Sequence, residues 1–254
     1  DVSPLVSVLR IECRRRFDSI PNELKSVKGW VCWRITQVEP VKGKFNKVPV
    51  YPATGLNRRG TQGGPEDLQA LGMFDEAARA FDEDPTMAGI GLAMLPAFGI
   101  VALDVDRCIE GDELRADAQV LTAETYCEVS PSGTGIRAFW RGTARDGKDH
   151  ERGFELFHSK GFVTITGNVV PNLHSIMGTG ALPLLDAATR NRLETLSSKT
   201  QSPDESPVAP LVAIPTMGHE AIDWPVIESA VAAINPDCSR EEWIKVGMAL
   251  HSHG

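Results

Sequence analysis

Asp104 and Asp106 close the run Val101-Ala102-Leu103-Asp104-Val105-Asp106. In a β-strand, positions i and i+2 share a face, so these carboxylates stand side by side. Paired negative charges repel unless a cation lies between them. Oxygen ligands of this kind suit hard cations such as Mg2+ and Mn2+, which commonly share their coordination with substrate phosphates. An apolar strand that merely ends in a polar turn gives the same pattern.

A second candidate is the loop and strand Glu128-Val129-Ser130-Pro131-Ser132-Gly133-Thr134-Gly135-Ile136-Arg137. Glycines alternating with small hydroxyl residues can turn successive backbone N–H groups toward an anion, and Arg137 adds a bidentate donor. The Gly-Lys-Ser/Thr ending of a Walker A loop is absent. A plain Pro-Ser-Gly hairpin turn fits the same residues. Glu155 is a lone carboxylate within Phe154-Glu155-Leu156-Phe157. Buried, it would need a partner or a metal; on an edge strand it would face water. Thr164, Thr166 and Gly167 follow downstream, and Lys47 enters a strand as a lone base that, taken alone, reads as a surface lysine.

The elements that must hold these residues follow from pattern. Residues 1–28 read as a helix or arm, 29–35 as an aromatic and β-branched strand, and 42–50 as a turn and second strand. Residues 54–65 are a Gly/Arg/Pro loop, and apolar spacing over 66–81 predicts an amphipathic helix or helix pair. Residues 89–94 and 98–105 predict a β-hairpin with a buried second strand. A helix over 112–124 and strands over 126–129, 136–140, 154–157 and 162–165 complete an α/β or α+β domain. Residues 199–210 have linker composition, and 224–234 and 240–251 read as helices. The expected division is therefore a domain over 1–185, a helix and linker over 186–215, and a small helical module over 216–254.

The chain has 254 residues and a formal net charge of −8. No apolar run reaches the roughly 18 residues of a membrane span, and no secretory signal is visible. Five cysteines without a Cys-x-x-Cys pair speak against a disulfide framework or structural zinc and for a reducing, cytoplasmic setting. The total charge argues against a nucleic-acid partner, but its distribution does not. Residues 10–60 carry 12 Lys/Arg against 4 Asp/Glu, a net of +8, while residues 61–130 carry 3 against 15. The basic stretch could track a nucleic-acid backbone, with an exposed Trp stacking on a base.

In this order the motifs resemble those of the archaeo-eukaryotic primase superfamily, in its phage and plasmid primase–polymerase branch. The matches are Leu103-Asp104-Val105-Asp106, then Ser130 to Arg137, then Glu155-Leu156-Phe157 running into Thr164-Ile165-Thr166-Gly167. Upstream, Gly29 to Arg34 and Asn46-Lys47-Val48-Pro49 look like the family's opening strands, and residues 238–251 are similar to the helical primase C-terminal module. Arg137 stands where the family has a His.

The resemblance implies a mixed or antiparallel catalytic sheet of the RNA-recognition-motif type, flanked by helices. It implies a DNA-directed nucleotidyltransferase, a primase and polymerase of phage or plasmid replication in a bacterial cytoplasm. Asp104, Asp106 and Glu155 would hold two Mg2+ or Mn2+ ions. Ser130, Ser132, Gly133, Thr134, Arg137, Lys47, Arg34, Thr164 and Thr166 would bind the nucleoside triphosphate. Partners would be single-stranded DNA template, primer and a helicase domain beyond residue 254. Two other functions compete: a non-catalytic module that holds single-stranded DNA or nucleotide for a helicase, and a metal-dependent phosphohydrolase or nuclease.

Overall fold

The structure is a computed structural model that describes residues 16–39, 44–111, 113–170 and 181–198, with positions 6, 9, 10, 13, 14 and 211–213. The chain divides into two compact units, residues 1–212 and 213–254. The expected linker at 199–210 and helices at 224–234 and 240–251 lie outside the described residues.

Two antiparallel sheets form the first unit. One has the order β11-β3-β1-β2, built from Phe162–Ile165, Gly89–Ala93, Trp30–Glu39 and Lys44–Val50. The other has the order β7-β8-β4-β10-β9, built from Tyr126–Val129, Ile136–Arg141, Ile100–Val105, Phe154–Phe157 and Gly147–Asp149. A small ribbon of β5 (Ile109–Glu110) and β6 (Glu113–Arg115) carries β12 (Leu211–Ala213) at its edge. Helices flank the sheets: α1 (Asn22–Lys25), α2 (Pro65–Ala70), α3 (Phe74–Glu83), α4 (Ala116–Glu124) and α5 (Ala187–Leu196). This is the α+β class that the sequence predicts. Its helix pair over 66–81 is α2 and α3, the second burying Ala77 and Phe81 one turn apart.

The expected hairpin of 89–94 with 98–105 does not form. β3 pairs with β1 and β11, whereas β4 pairs with β8 and β10. A single 3₁₀ turn, Pro96–Phe98, ends at Gly99 with φ +61. That left-handed step sends the chain from one sheet into the other. β10 and β11 part in the same way, each joining a different sheet. The helix expected from residue 112 begins only at Ala116, because 113–115 pair as β6.

The core joins both sheets to α3 and the N-terminal arm. Trp30, Cys32, Ile90, Leu92 and Val163 of the first sheet belong to one apolar cluster with Ala102, Tyr126 and Phe139 of the second. Trp30 and Trp33 are fully buried, so neither offers the base-stacking platform expected of an exposed Trp. The basic stretch is also partly consumed. Arg10 donates to the carbonyls of Phe81, Asp84 and Met87 at the end of α3, and Arg14 pairs with Asp82 at 2.9 Å. Lys28 and Arg59 remain exposed.

Arg58 makes the deepest ion pair of the described residues. Its Nε and Nη2 donate to both oxygens of Asp67 at 2.8 and 2.7 Å, and its Nη1 donates to the Gly161 carbonyl at 2.7 Å. Asp67 also accepts from the Tyr51 hydroxyl and the Gly63 N–H. This clamp ties the 51–64 loop to the turn that leads into β11. Asp67→Ala would strand a buried guanidinium, and is expected to lower unfolding free energy by about 3–5 kcal/mol, measured by urea denaturation.

Candidate active site

Strand register builds the site. Glu128 on β7 lies opposite Arg137 on β8, Arg137 opposite Asp104 on β4, Asp104 opposite Glu155 on β10, and Glu155 opposite Lys148 on β9. Directly opposed residues share a face. One row of charged side chains therefore crosses the whole second sheet. Asp104 and Glu155 are neighbours of like sign, which destabilises a bare sheet. Cations flank them: Arg137 Nη2 donates to Asp104 Oδ2 at 3.3 Å, and Lys148 is in close contact with Glu155.

The chain packs tightly at the end of β4. A Cβ on Gly135 would meet the Val105 carbonyl oxygen at 2.6 Å, so a side chain there would push the loop off the strand. Asp106 donates its N–H to the Gly153 carbonyl at 2.8 Å, and so fixes the second aspartate against the turn before β10.

Two openings meet at Asp104. The first is a cleft of about 100 Å³ lined by Lys47, Asp104, Arg137, Phe157, Phe162, Val163 and Thr164. The second is a polar hollow of about 160 Å³ whose walls include Asp104, Asp106, Glu155, Lys148, Arg107 and His150. Arg107 is the one described non-glycine residue with positive φ, at +52. Asp104 Oδ1, Arg137 Nη1 and Thr164 Oγ1 are buried with no hydrogen-bond partner. All three belong to residues of the first cleft. Burial pushes the Lys47 amine down to about 8; Arg137 pushes the same way, and Asp104 and Asp106 oppose it. The cleft is thus cationic, with donors left over.

Other expected residues are placed elsewhere. Arg34 opposes Val48 while Lys47 opposes Ile35, so the two side chains leave opposite faces of the first sheet. Arg34 donates to Asp84 at 2.7 Å, to Thr86 at 2.9 Å and to the Gly55 carbonyl at 3.0 Å. Ser130 and Gly133 line a third cavity, with Cys13, Trp33 and Thr166 among its walls. The loop closes on itself: the Gly133 N–H donates to the Ser130 carbonyl, and the Ser130, Ser132 and Thr134 hydroxyls form a chain at 2.9 and 3.1 Å. Thr166 donates its hydroxyl to the Val129 carbonyl at 2.8 Å. Lys148, Arg107 and His150 were not singled out from sequence. Only the spacing of Lys148 within a short strand before Glu155 could have signalled it.

Among the described residues, no three His, Cys, Asp or Glu side chains are arranged as they stand to hold a metal ion. The donor chemistry nonetheless fits one, since Asp104, Asp106 and Glu155 are hard oxygen ligands and Asp104 keeps an unused buried oxygen. Cys13, Cys32, Cys108 and Cys127 are free and buried. Burial pushes the Cys13, Cys32 and Cys108 thiols up to about 12, which suits packing rather than ligation. No helix among the described residues is long and apolar enough to cross a membrane.

Residues 227–254 match the primase C terminal 2 (PriCT-2) family. Over 182 residues the chain is 26% identical to a DNA primase-polymerase of Nitratiruptor phage NrS-1, covering 68% of this chain. The chain spans 23% of that relative's length. The chain is thus similar over most of its length to a phage primase–polymerase, and over residues 227–254 to a primase C-terminal module.

Lys47 gives a direct check of the cleft's electrostatics. Asp104→Asn removes a charge that favours the ammonium form, so the Lys47 pKa should fall below about 8. Titration of the lysine 13Cε resonances in the two proteins would show it, and an unmoved or raised value would contradict the placement.

Proposed function

We propose that this chain performs template-directed nucleotidyl transfer from nucleoside triphosphates, as a DNA primase and polymerase. The reading is carried by the unpartnered Arg137 Nη1 and Thr164 Oγ1, buried beside Lys47 in one cleft next to paired carboxylates. Two unpartnered donors, Arg137 Nη1 and Thr164 Oγ1, in a cleft that the Lys47 amine also lines suit the oxygens of a phosphate tail. The similarity to a protein named DNA primase-polymerase supports the same assignment.

In this reading, Asp104, Asp106 and Glu155 hold two Mg2+ or Mn2+ ions. When bound, such cations lower the pKa of the attacking 3′-hydroxyl and neutralise the departing pyrophosphate. Arg137, Thr164 and Lys47 grip the phosphates and orient the α-phosphorus toward the carboxylate row. Lys148 and Arg137 keep the opposed carboxylates compensated before substrate enters. The Ser130–Gly135 loop and Thr166 shape the sheet end from behind, and Arg34 anchors β1. Single-stranded DNA template and primer are the acceptor partners, with exposed Lys28 and Arg59 among the residues that meet their phosphates.

Asp104→Ala combined with Asp106→Ala should abolish primer extension with either metal while the far-ultraviolet circular dichroism stays native. Extension at the wild-type rate by the double variant would refute the assignment. The same assay separates a binding module, which would retain template without product, from a nuclease, which would degrade it. That binding module draws support from the ion pairs already engaging Asp104 and Glu155.

Nucleotide affinity should depend on pH through Lys47. The amine carries its charge below about 8 and loses it above, so affinity for the anionic tail should weaken as pH rises past that value. In Lys47→Met this alkaline limb should vanish and KM for nucleotide should rise about tenfold. Steady-state kinetics between pH 7 and about 9.5 would measure both, since that interval brackets the titration.

A further inference from the structure

Glu128 lies one strand beyond Arg137 in the charged row and is fully buried. The chemistry proposed above does not use it. A buried carboxylate is unfavourable unless it is hydrogen-bonded, and here three donors reach it. Oε1 accepts from the Thr166 N–H at 2.9 Å, and Oε2 accepts from the Gly167 N–H and the Tyr126 hydroxyl, both at 3.0 Å. Two of these donors lie immediately after β11, the strand that carries Thr164. The same seam is stitched by Val129 N–H to the Asn168 carbonyl at 2.7 Å and by Val170 N–H to the Cys127 carbonyl at 2.9 Å. Glu128 therefore touches the support of Thr164 on one side and faces Arg137 on the other.

A seam alone would not need an ionised group. Burial pushes the Glu128 carboxyl up to about 6, against Arg137 and the three hydrogen bonds, which draw it down. At neutral pH the protein keeps a charge that its surroundings desolvate. The charged and titratable groups around it are Arg137 from β8, Tyr126 and Cys127 from β7, and Cys13 and Arg16 from the N-terminal arm, the last packed against Gly167. Tyr126, Cys127 and Cys13 are neutral there, because burial raises the Tyr126 hydroxyl and both thiols. Arg137 is the cation that draws the Glu128 carboxyl down. It has one anion on each side, Asp104 and Glu128, and only Glu128 stays wholly its own when Asp104 engages a cation.

We infer that Glu128 is a positioning residue for the nucleotide cleft: its carboxylate attracts the Arg137 guanidinium across the β7–β8 register, without a hydrogen bond to it, and pins the segment that aims Thr164, so both donors are set before nucleotide binds. The inference rests on the reading of that cleft as the triphosphate site. A folded protein with Glu128 neutral keeps its sheet and loses the alignment of two phosphate donors.

The test uses the intact chain with Mg2+ and a nucleoside triphosphate, comparing wild type, Glu128→Gln and Tyr126→Phe. Glutamine keeps the size but offers one acceptor oxygen to three donors and no charge. In Glu128→Gln, nucleotide KM should rise about tenfold while kcat changes less than about twofold. The acid limb of kcat/KM near pH 6 in the wild type should be absent in that variant. Tyr126→Phe keeps the carboxylate and removes a bond that lowers its pKa, so its acid limb should move to higher pH. If Glu128→Gln does not fold, as judged by its thermal transition, the shift in Tyr126→Phe decides alone. An unchanged KM and an unchanged acid limb in folded Glu128→Gln, or an unmoved limb in Tyr126→Phe, overturn the role of Glu128. Calorimetry on the wild type separates the two levels: absence of nucleotide binding there overturns the reading of the cleft itself.

Discussion

Asp104 and Arg137 face each other across β4 and β8, in contact at 3.3 Å. That register constrains the rest of the site, because a slip of one residue would turn both side chains to the opposite face. With the register set, every strand of the second sheet contributes one charge to the same row. The two openings then share Asp104 as their common wall. An anion held in the cleft is brought next to the carboxylates without any further device. Gly135 and the Asp106–Gly153 contact protect that register at its exposed end, where the strand would otherwise fray.

The first sheet supplies the opposing side of the cleft, and it does so through two strands that are far apart in sequence. Lys47 comes from β2 and Thr164 from β11, the outer strands of the order β11-β3-β1-β2. Such a site can be accurate only if the outer strands are held. The Arg58–Asp67 clamp reaches the turn before β11, and Glu128 holds the segment after it. Thr164 thus lies between two fixed points, each a buried ionised group with its hydrogen bonds filled. Polar groups placed this way stand ready for charge without rearrangement, which is how preorganised sites gain their strength.

Much of this was legible from residue pattern, and the failures have physical causes. The strands that carry Asp104, Glu155, Thr164 and Arg137 fall where the apolar runs predict them, while Asp106 stands just past the end of β4. Pairing was another matter. Residues 89–94 and 98–105 look like a hairpin because their separation is short, yet Gly99 turns the chain between sheets. Alternation has period 2, so it sets Arg34 and Lys47 on opposite faces only once the partner strand is known. The hydroxyl-rich loop read as an anion nest, but the Ser130 and Gly133 N–H groups are spent closing their own turn. Charge counts fail for a similar reason. They do not distinguish Arg10, which caps α3, from a surface base.

The cost of the cleft explains why these clamps exist. Burial first, and repulsion by Arg137 second, bring the Lys47 amine down to about 8. Arg137 Nη1 and Thr164 Oγ1 forgo the hydrogen bonds that buried groups ordinarily make. Each such omission costs roughly 1–3 kcal/mol, so the empty cleft is a local region of unfavourable free energy. Relaxation would be easy if the strands could move: Arg137 could swing to water and Thr164 could bond a backbone carbonyl. The Asp104 contact, the Glu128 charge and the Arg58 clamp oppose that relaxation at three different points. A ligand that supplies several acceptor oxygens recovers the missing hydrogen bonds and restores the full charge of Lys47 at once. A triphosphate tail does this, whereas a neutral ligand of the same size leaves the repulsion in place. Discrimination of this kind arises from the groups left unpaired. It needs no further side chain beyond those that hold them there.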